Sequence, residues 1–260
     1  MPEYEFDADT AVEATTEDRY RACVHERWHV GAVANGGYVM SIGMRALGLA
    51  LPAAGPLTVT AHFLRPTLAG PLDIETEVVK SGRRFATGVA RLLQGDKEVV
   101  RLLGTYGDFA RQSGPTRITA APPAVPRAGE DISRPDAPQV AARYDHRFAQ
   151  EDLAWLRGER SELAEICGAV RFRDKRPPDL LSLAALADSF PPPAFAWIEP
   201  TWLPTLELTL HVRARPKGNW LHCIFRTRFL FGGLLEEDGE LWDETGQLVA
   251  LSRQLAMTPG

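Results

Sequence analysis

The chain echoes itself at an offset of about 150 residues. Ala61-His62-Phe63-Leu64-Arg65-Pro66, followed by Gly70-Pro71-Leu72, returns as His211-Val212-Arg213-Ala214-Arg215-Pro216, followed by Gly218-Asn219-Trp220-Leu221. Gln94-Gly95-Asp96-Lys97 before Glu98-Val99-Val100 returns as Glu244-Thr245-Gly246-Gln247 before Leu248-Val249-Ala250. Solenoid units repeat every 20–50 residues or so, roughly, so this spacing marks a duplicated domain. Two copies in one chain can be compared position by position. A polar residue found in only one copy is a candidate for function, because a structural role shared by both copies would be kept in both.

Local patterns fill in each copy. Leu72, Ile74, Thr76 and Val78 alternate with Asp73, Glu75 and Glu77, the period-two signature of a strand with one wet face. Ser81-Gly82 and Gly95-Asp96 are turn signals between such runs. Gly36-Gly37 opens an apolar stretch to Leu51 without strand alternation, and Pro52 follows it, which predicts a buried helix. Copy one therefore reads as strand, helix, then about four antiparallel strands. In copy two, Ile166 to Phe172 predicts a strand. Leu180, Leu181, Leu183, Leu186 and Ala187 predict a buried helix stopped by Pro191-Pro192-Pro193. Strands are predicted near 205–214, 219–231, 234–243 and 247–257. Pro122, Pro123, Pro126, Pro135 and Pro138, set among Ala, Arg and Asp, suit an irregular connection. The expected organisation is a copy over residues 1–110, a Pro/Ala-rich linker over 111–150 and a second copy over 151–260.

Composition narrows the function classes. A net charge of -5 supplies no basic excess to neutralise nucleic-acid phosphates. Cys23, Cys167 and Cys223 are far apart and form no Cys-x-x-Cys pair, which fits a reducing, cytoplasmic setting and disfavours a zinc ribbon. No apolar run approaches the length of a membrane span, and Met1 to Thr10 lacks the pattern of a signal peptide. His, Asp and Glu show no metal-ligand spacing, and no Gly-x-Ser-x-Gly elbow is present. No cofactor or metal is expected.

A central helix wrapped by an antiparallel sheet, twice over, points to an α+β double hotdog. Placing the copies side by side in one continuous sheet would remove the exposed edge of each. Gly36-Gly37-Tyr38-Val39, His62-Phe63-Leu64-Arg65-Pro66, Gly70 to Val78 with Gly82 and Phe85, and Leu248-Val249-Ala250 with Gln254 resemble the acyl-CoA thioesterase II family and the wider thioesterase-like double-hotdog group. The likeness covers most of the chain outside the linker.

The resemblance implies hydrolysis of an acyl-CoA to free acid and CoA, through an Asp on the second helix, a Thr on the following strand and a Gln on the last strand. These fall on Asp188, Thr205 and Gln254, with Thr209 competing for the Thr position because a one-residue adjustment is needed near Ala214. A carboxylate can accept a proton from water attacking the thioester, while Thr and Gln hold that water in line. Gly36, Gly37 and Tyr38 are expected at the thioester, with the glycine backbone as oxyanion donor. Arg83 and Arg84 are candidates for the phosphates of CoA.

Shifted back by about 150 residues, the trio falls near Tyr38, Gly55-Pro56 and Gly104-Thr105, none of which supplies a carboxylate or amide. One hydrolytic site per chain is therefore expected. His62 and His211 are repeat-equivalent, which favours a structural role. Two other readings stand beside this one: an acyl or acyl-CoA binding protein without catalysis, and a hotdog dehydratase or hydratase. The expected partner is the acyl-CoA, with no nucleic acid and no membrane, and assembly into a homo-oligomer is left open.

Overall fold

The computed structural model describes residues 4–53, 55–126, 137–148 and 151–259. In chain order, α1 (Glu5–Asp9) precedes β1 (Glu13–Ala14), β2 (Arg19–Val24), β3 (His29–Val30) and β4 (Val33–Ala34). Helix α2 (Gly36–Ala50) follows, then β5 (Gly55–Phe63), β6 (Gly70–Ser81), β7 (Phe85–Gln94) and β8 (Lys97–Gly107). The second copy supplies β9 (Tyr144–Phe148), β10 (Ala164–Phe172), helix α3 (Ser182–Ala187) and β11 (Thr205–Val212). It ends with β12 (Leu221–Thr227), β13 (Leu230–Phe231), β14 (Leu234–Asp243) and β15 (Leu248–Met257).

One antiparallel sheet runs through both copies in the order β1-β2-β6-β7-β8-β5-β11-β15-β14-β12-β10-β9, with β13 hairpinned onto β14. The order is palindromic: β2, β6, β7, β8 and β5 correspond to β10, β12, β14, β15 and β11. The copies meet where β5 pairs with β11, so neither leaves that edge open. The double hotdog expected from the repeat is the observed fold.

The seam has a centre. Thr60 stands opposite Thr209, and their hydroxyls touch at 2.7 Å. On either side His62 faces Glu207 and Thr58 faces His211. Thr60 and Thr209 are 149 residues apart, the same spacing as His62 and His211, so a pseudo-two-fold axis passes between the two threonines. It also gives Thr209 its role: the side chain is occupied at the seam.

The two helices differ in length, and local sequence explains why. Asn35 caps α2 by accepting a hydrogen bond from the Tyr38 N–H at 2.9 Å. The helix then runs 15 residues, most of them buried, before Pro52 ends it. Helix α3 runs only 6 residues. Asp179 accepts from the Ser182 N–H at 2.8 Å to start it, and Pro191 to Pro193 lie a few residues past its end.

The core lies between the sheet and these helices. An aromatic knot binds the halves together: Trp28 stacks on Tyr38 with ring centroids 4.9 Å apart, and Phe6, Tyr144 and Phe172 pack around Trp28. Arg176, almost fully buried, reinforces the join by pairing with Asp7 of α1 and with Asp179.

The connection between copies is shorter than composition suggests. Residues 112–126 carry no helix or strand, and Pro135 lies outside the described residues. Tyr144–Phe148, however, falls within the expected linker and forms a sheet strand against β10. Tyr144, His146 and Phe148 alternate inward into the core, and that short alternation was masked by the proline-rich stretch before it. No helix among the described residues is long and apolar enough to cross a membrane.

Candidate active site

Asp188 terminates α3, its N–H still bonded to the Ala184 carbonyl at 3.1 Å. Its carboxylate points at the start of α2, in the other copy. Asp188 Oδ2 accepts from the Gly37 N–H at 2.7 Å and from Asn35 Nδ2 at 2.8 Å, and the same Asn35 Nδ2 also reaches the Asp188 carbonyl at 2.8 Å. The contact needs glycine. A Cβ on Gly37 would stand 2.3 Å from the Ala184 carbonyl oxygen and 2.6 Å from Asp188 Cβ, and one on Gly36 would stand 2.9 Å from the Phe63 ring.

These bonds correct the expected role of Gly36-Gly37. The glycines do permit close approach, but the Gly37 N–H serves the carboxylate of Asp188 rather than a substrate oxygen. Tyr38 is also corrected. Its ring is fully buried against Trp28, and its hydroxyl donates to the Asp9 carbonyl at 2.8 Å. It anchors α2 instead of lining a substrate surface.

Thr205 and Gln254 are brought together on the sheet. The Thr205 hydroxyl donates to Gln254 Oε1 at 3.1 Å. A bulge between Thr205 and Glu207 makes this contact: Thr205 pairs with inward-facing Ala256, whereas Leu208 pairs with Gln254. Without that extra residue the alternation Leu208, Leu210, Val212 would turn position 205 outward.

Two further residues complete the cluster. Gln254 Nε2 donates to Glu237 Oε1 at 2.9 Å, and Glu237 stands directly opposite Gln254 on β14. Continuing the β12–β14 register one step past Arg226 and Asp238 places Thr227 beside Glu237. Thr227 is buried, and its hydroxyl has no hydrogen-bond partner among the described residues. A polar row of Thr227, Glu237, Gln254 and Thr205 thus crosses four strands on the inner face of copy two.

Among the described residues, copy one has nothing like it. The register that pairs Glu237 with Gln254 pairs Gly88 with Gly104 at the matching place. Leu47 of α2 packs onto both glycines and Leu51 onto Gly88. The long helix fills this space in copy one. The short helix in copy two stops before it, and the polar side chains stand there instead.

Electrostatics separate the two acids. Burial pushes Asp188 up to about 6, against the lowering pull of its hydrogen bonds from Gly37, Asn35 and Gly36. Burial also pushes Glu237 up, to about 8, helped by the nearby charge of Asp188 and opposed by the Gln254 hydrogen bond. At neutral pH the site holds an anionic Asp188 beside a largely protonated Glu237.

Arg83 and Arg84 lie elsewhere. They occupy the β6–β7 turn, where the Arg84 carbonyl is 3.2 Å from a Cβ built on Gly107, and Gly107 pairs with Gly55. Phe63, which covers Gly36 near Asp188, is at the other end of β5, roughly 26 Å away at about 3.3 Å per residue. The arginines flank copy one's counterpart of the site, which α2 fills, so a phosphate grip beside Asp188 does not follow.

Reading the sequence missed Asn35, Glu237 and Thr227. Asn35 had a signal, since a cap residue directly precedes Gly36-Gly37. Glu237 looked like one more strand charge in Glu236-Glu237-Asp238, though its counterpart in the repeat is a glycine. Asn35→Ala is expected to lower stability by about 1–2 kcal/mol through loss of the cap. It should also raise the pKa of Asp188, because a donor to the ionised form is gone. Denaturant unfolding and a pH titration of activity measure the two effects.

Comparison with known proteins places the chain in a family. Residues 24–107 match the model of an acyl-CoA thioesterase N-terminal domain, and residues 119–258 that of an acyl-CoA thioesterase C-terminal domain. A crystal structure from Thermobifida fusca YX, classed provisionally as a thioesterase II, shares 30% identity at a TM-score of 0.91, covering 100% of this chain and 99% of that one. An acyl-CoA thioesterase II from Mycobacterium marinum shares the fold, with 20% identity, a TM-score of 0.76 and coverage of 98% and 97%. An uncharacterised protein of Mycobacterium tuberculosis is 26% identical over 266 residues, covering 91% of this chain and 89% of the relative.

Proposed function

The chain belongs to the acyl-CoA thioesterase family, and from that premise we propose that it hydrolyses an acyl-CoA to free acid and CoA by direct attack of water, with Asp188 as the general base. The reading is supported by the hydrogen-bonded row Thr205, Gln254 and Glu237, with the charge of Asp188 acting on Glu237, at a place where the other copy has glycines covered by leucine side chains.

The chemistry balances without a covalent enzyme intermediate. Water adds to the thioester carbonyl, and its proton passes to Asp188 as the new C–O bond forms. The tetrahedral intermediate then expels the sulfur. The C–S bond breaks and the proton returns to the thiolate, giving acid and CoA–SH. Hydrogen bonds from Asn35 and the Gly37 backbone fall on Oδ2 of Asp188, leaving Oδ1 to receive the proton. Since the Gly37 N–H is taken, the donors left for the developing oxyanion are the second N–H of Gln254 and the Thr227 hydroxyl.

Release of free thiol from a series of acyl-CoA esters tests the reading. The rate should rise as pH passes through about 6 on the acid side, because the base works only when ionised. The sign is fixed: protonating Asp188 at low pH removes the acceptor. Tight acyl-CoA binding with no thiol release at any pH would instead favour a binding protein. The acyl chains tried should span short, long, branched and aromatic groups.

A further inference from the structure

We propose that Glu237 is a positioning residue of this site, holding the Gln254 amide from the side opposite Thr205 so that its remaining N–H meets the developing oxyanion in one orientation. The inference rests on the hydrolytic reading above and extends it to a residue on a different strand from the expected trio.

The geometry is a clamp. Gln254 Oε1 accepts from the Thr205 hydroxyl at 3.1 Å, and Gln254 Nε2 donates to Glu237 Oε1 at 2.9 Å. An amide held at both ends must break both bonds before it can rotate. One N–H remains free of this clamp, and its direction is set by the other two bonds. Thr205 alone would hold only the oxygen end of the amide.

Packing does not call for a carboxyl at this position. Glu237 is buried, and among the described residues it makes no ion pair. A buried acid without a cation is costly to the fold. Its counterpart in copy one is Gly88, where aliphatic side chains of α2 fill the space.

The surroundings keep Glu237 neutral at the pH where Asp188 is charged. Asp188 faces it from the end of α3, Gln254 from β15 and Thr227 from β12. Asp238, next along β14, acts on it too, but pairs with Arg228 and Arg253. A neutral Glu237 leaves one negative charge at the site. Once it ionises, above about 8, a second charge would oppose both the anionic base and the developing oxyanion.

The test compares wild type, Glu237→Gln and Glu237→Ala across pH 5 to 10, with thermal melting as a check on folding. Wild type should lose kcat above about pH 8. Glu237→Gln, neutral at every pH, should keep far more of the pH 7 kcat than Glu237→Ala does and lose the alkaline decline. Glu237→Ala should lower kcat by up to about 10²-fold through misplaced groups, with KM little changed. A Glu237→Gln enzyme that declines at the same alkaline pH as wild type, or that falls as far as Glu237→Ala at pH 7, overturns the proposal. So does a fully active Glu237→Ala enzyme. Wild type that releases no thiol from any acyl-CoA overturns the hydrolytic reading itself, a result distinct from any of these.

Discussion

Asp188→Asn is expected to reduce kcat for acyl-CoA hydrolysis by about 10²–10⁴-fold, the usual contribution of a general base, while leaving KM nearly unchanged. The substitution is close to isosteric. The new side-chain oxygen can still accept from the Gly37 N–H and from Asn35, so the contact between α2 and α3 survives. What is lost is the proton acceptor, and with it the activity step near pH 6.

Stability should move the other way. The folded protein holds Asp188 at about 6, above the ordinary carboxylate value, because burial disfavours the ionised form. Wild type therefore enjoys the full contribution of this group only below about pH 4 and loses it as pH rises through about 6. At pH 8 the variant should melt at a higher temperature than wild type, by a free-energy difference of the order of 3 kcal/mol for two units of pKa. A variant both inactive and more stable marks a charge kept buried for chemistry. Equal activity, or an inactive variant that melts lower at pH 8, would remove Asp188 from the role of base.

Gly37→Ala should act on fold and function at once. The added Cβ would meet the Ala184 carbonyl at 2.3 Å, and backbone cannot swing aside as a flexible side chain can. The helices must separate where the Asp188 carboxylate is held, which breaks the 2.7 Å bond from the Gly37 N–H. Overpacking of this kind typically costs 1–3 kcal/mol, and a base displaced by about 1 Å can cost 10²-fold in rate. Gly48→Ala on the same helix is the matched control. Its Cβ would meet Tyr106 at an ordinary 3.8 Å, so alanine's better helix propensity should add about 0.5–1 kcal/mol of stability. Urea unfolding and kcat for both variants separate the two cases. If Gly37→Ala behaves like Gly48→Ala, the helix contact is not what holds the base.

The fold was legible in the sequence because duplication is a long-range signal that no local ambiguity blurs. The Arg-Pro and Gly-turn echoes put equivalent strands in register, and the palindromic sheet follows from pairing equivalent edges. Side-chain surroundings were legible only in part. Thr205 depends on a bulge, which alternation along β11 does not announce, since Leu208, Leu210 and Val212 keep strict period two. Tyr38 looked like a ligand residue because it follows Gly36-Gly37, yet the side chain of a helix residue points where the helix face points, here into the core. Arg83 and Arg84 suggest a phosphate contact by charge alone, and charge does not say which end of β5 they approach. Glu237 was hidden by its charged neighbours along β14, and comparison with Gly88 would have exposed it.

The tether between the copies also bears on how the site responds to dilution. Asp188 comes from one copy, while Asn35 and Gly37, which hold its carboxylate, come from the other. In two separate subunits such a constellation exists only while the subunits stay associated, so its population falls as the protein is diluted. In a single chain the second half is always present at a fixed effective concentration. Assembly of the site is then a first-order property of one molecule, as available at nanomolar levels of protein as at millimolar.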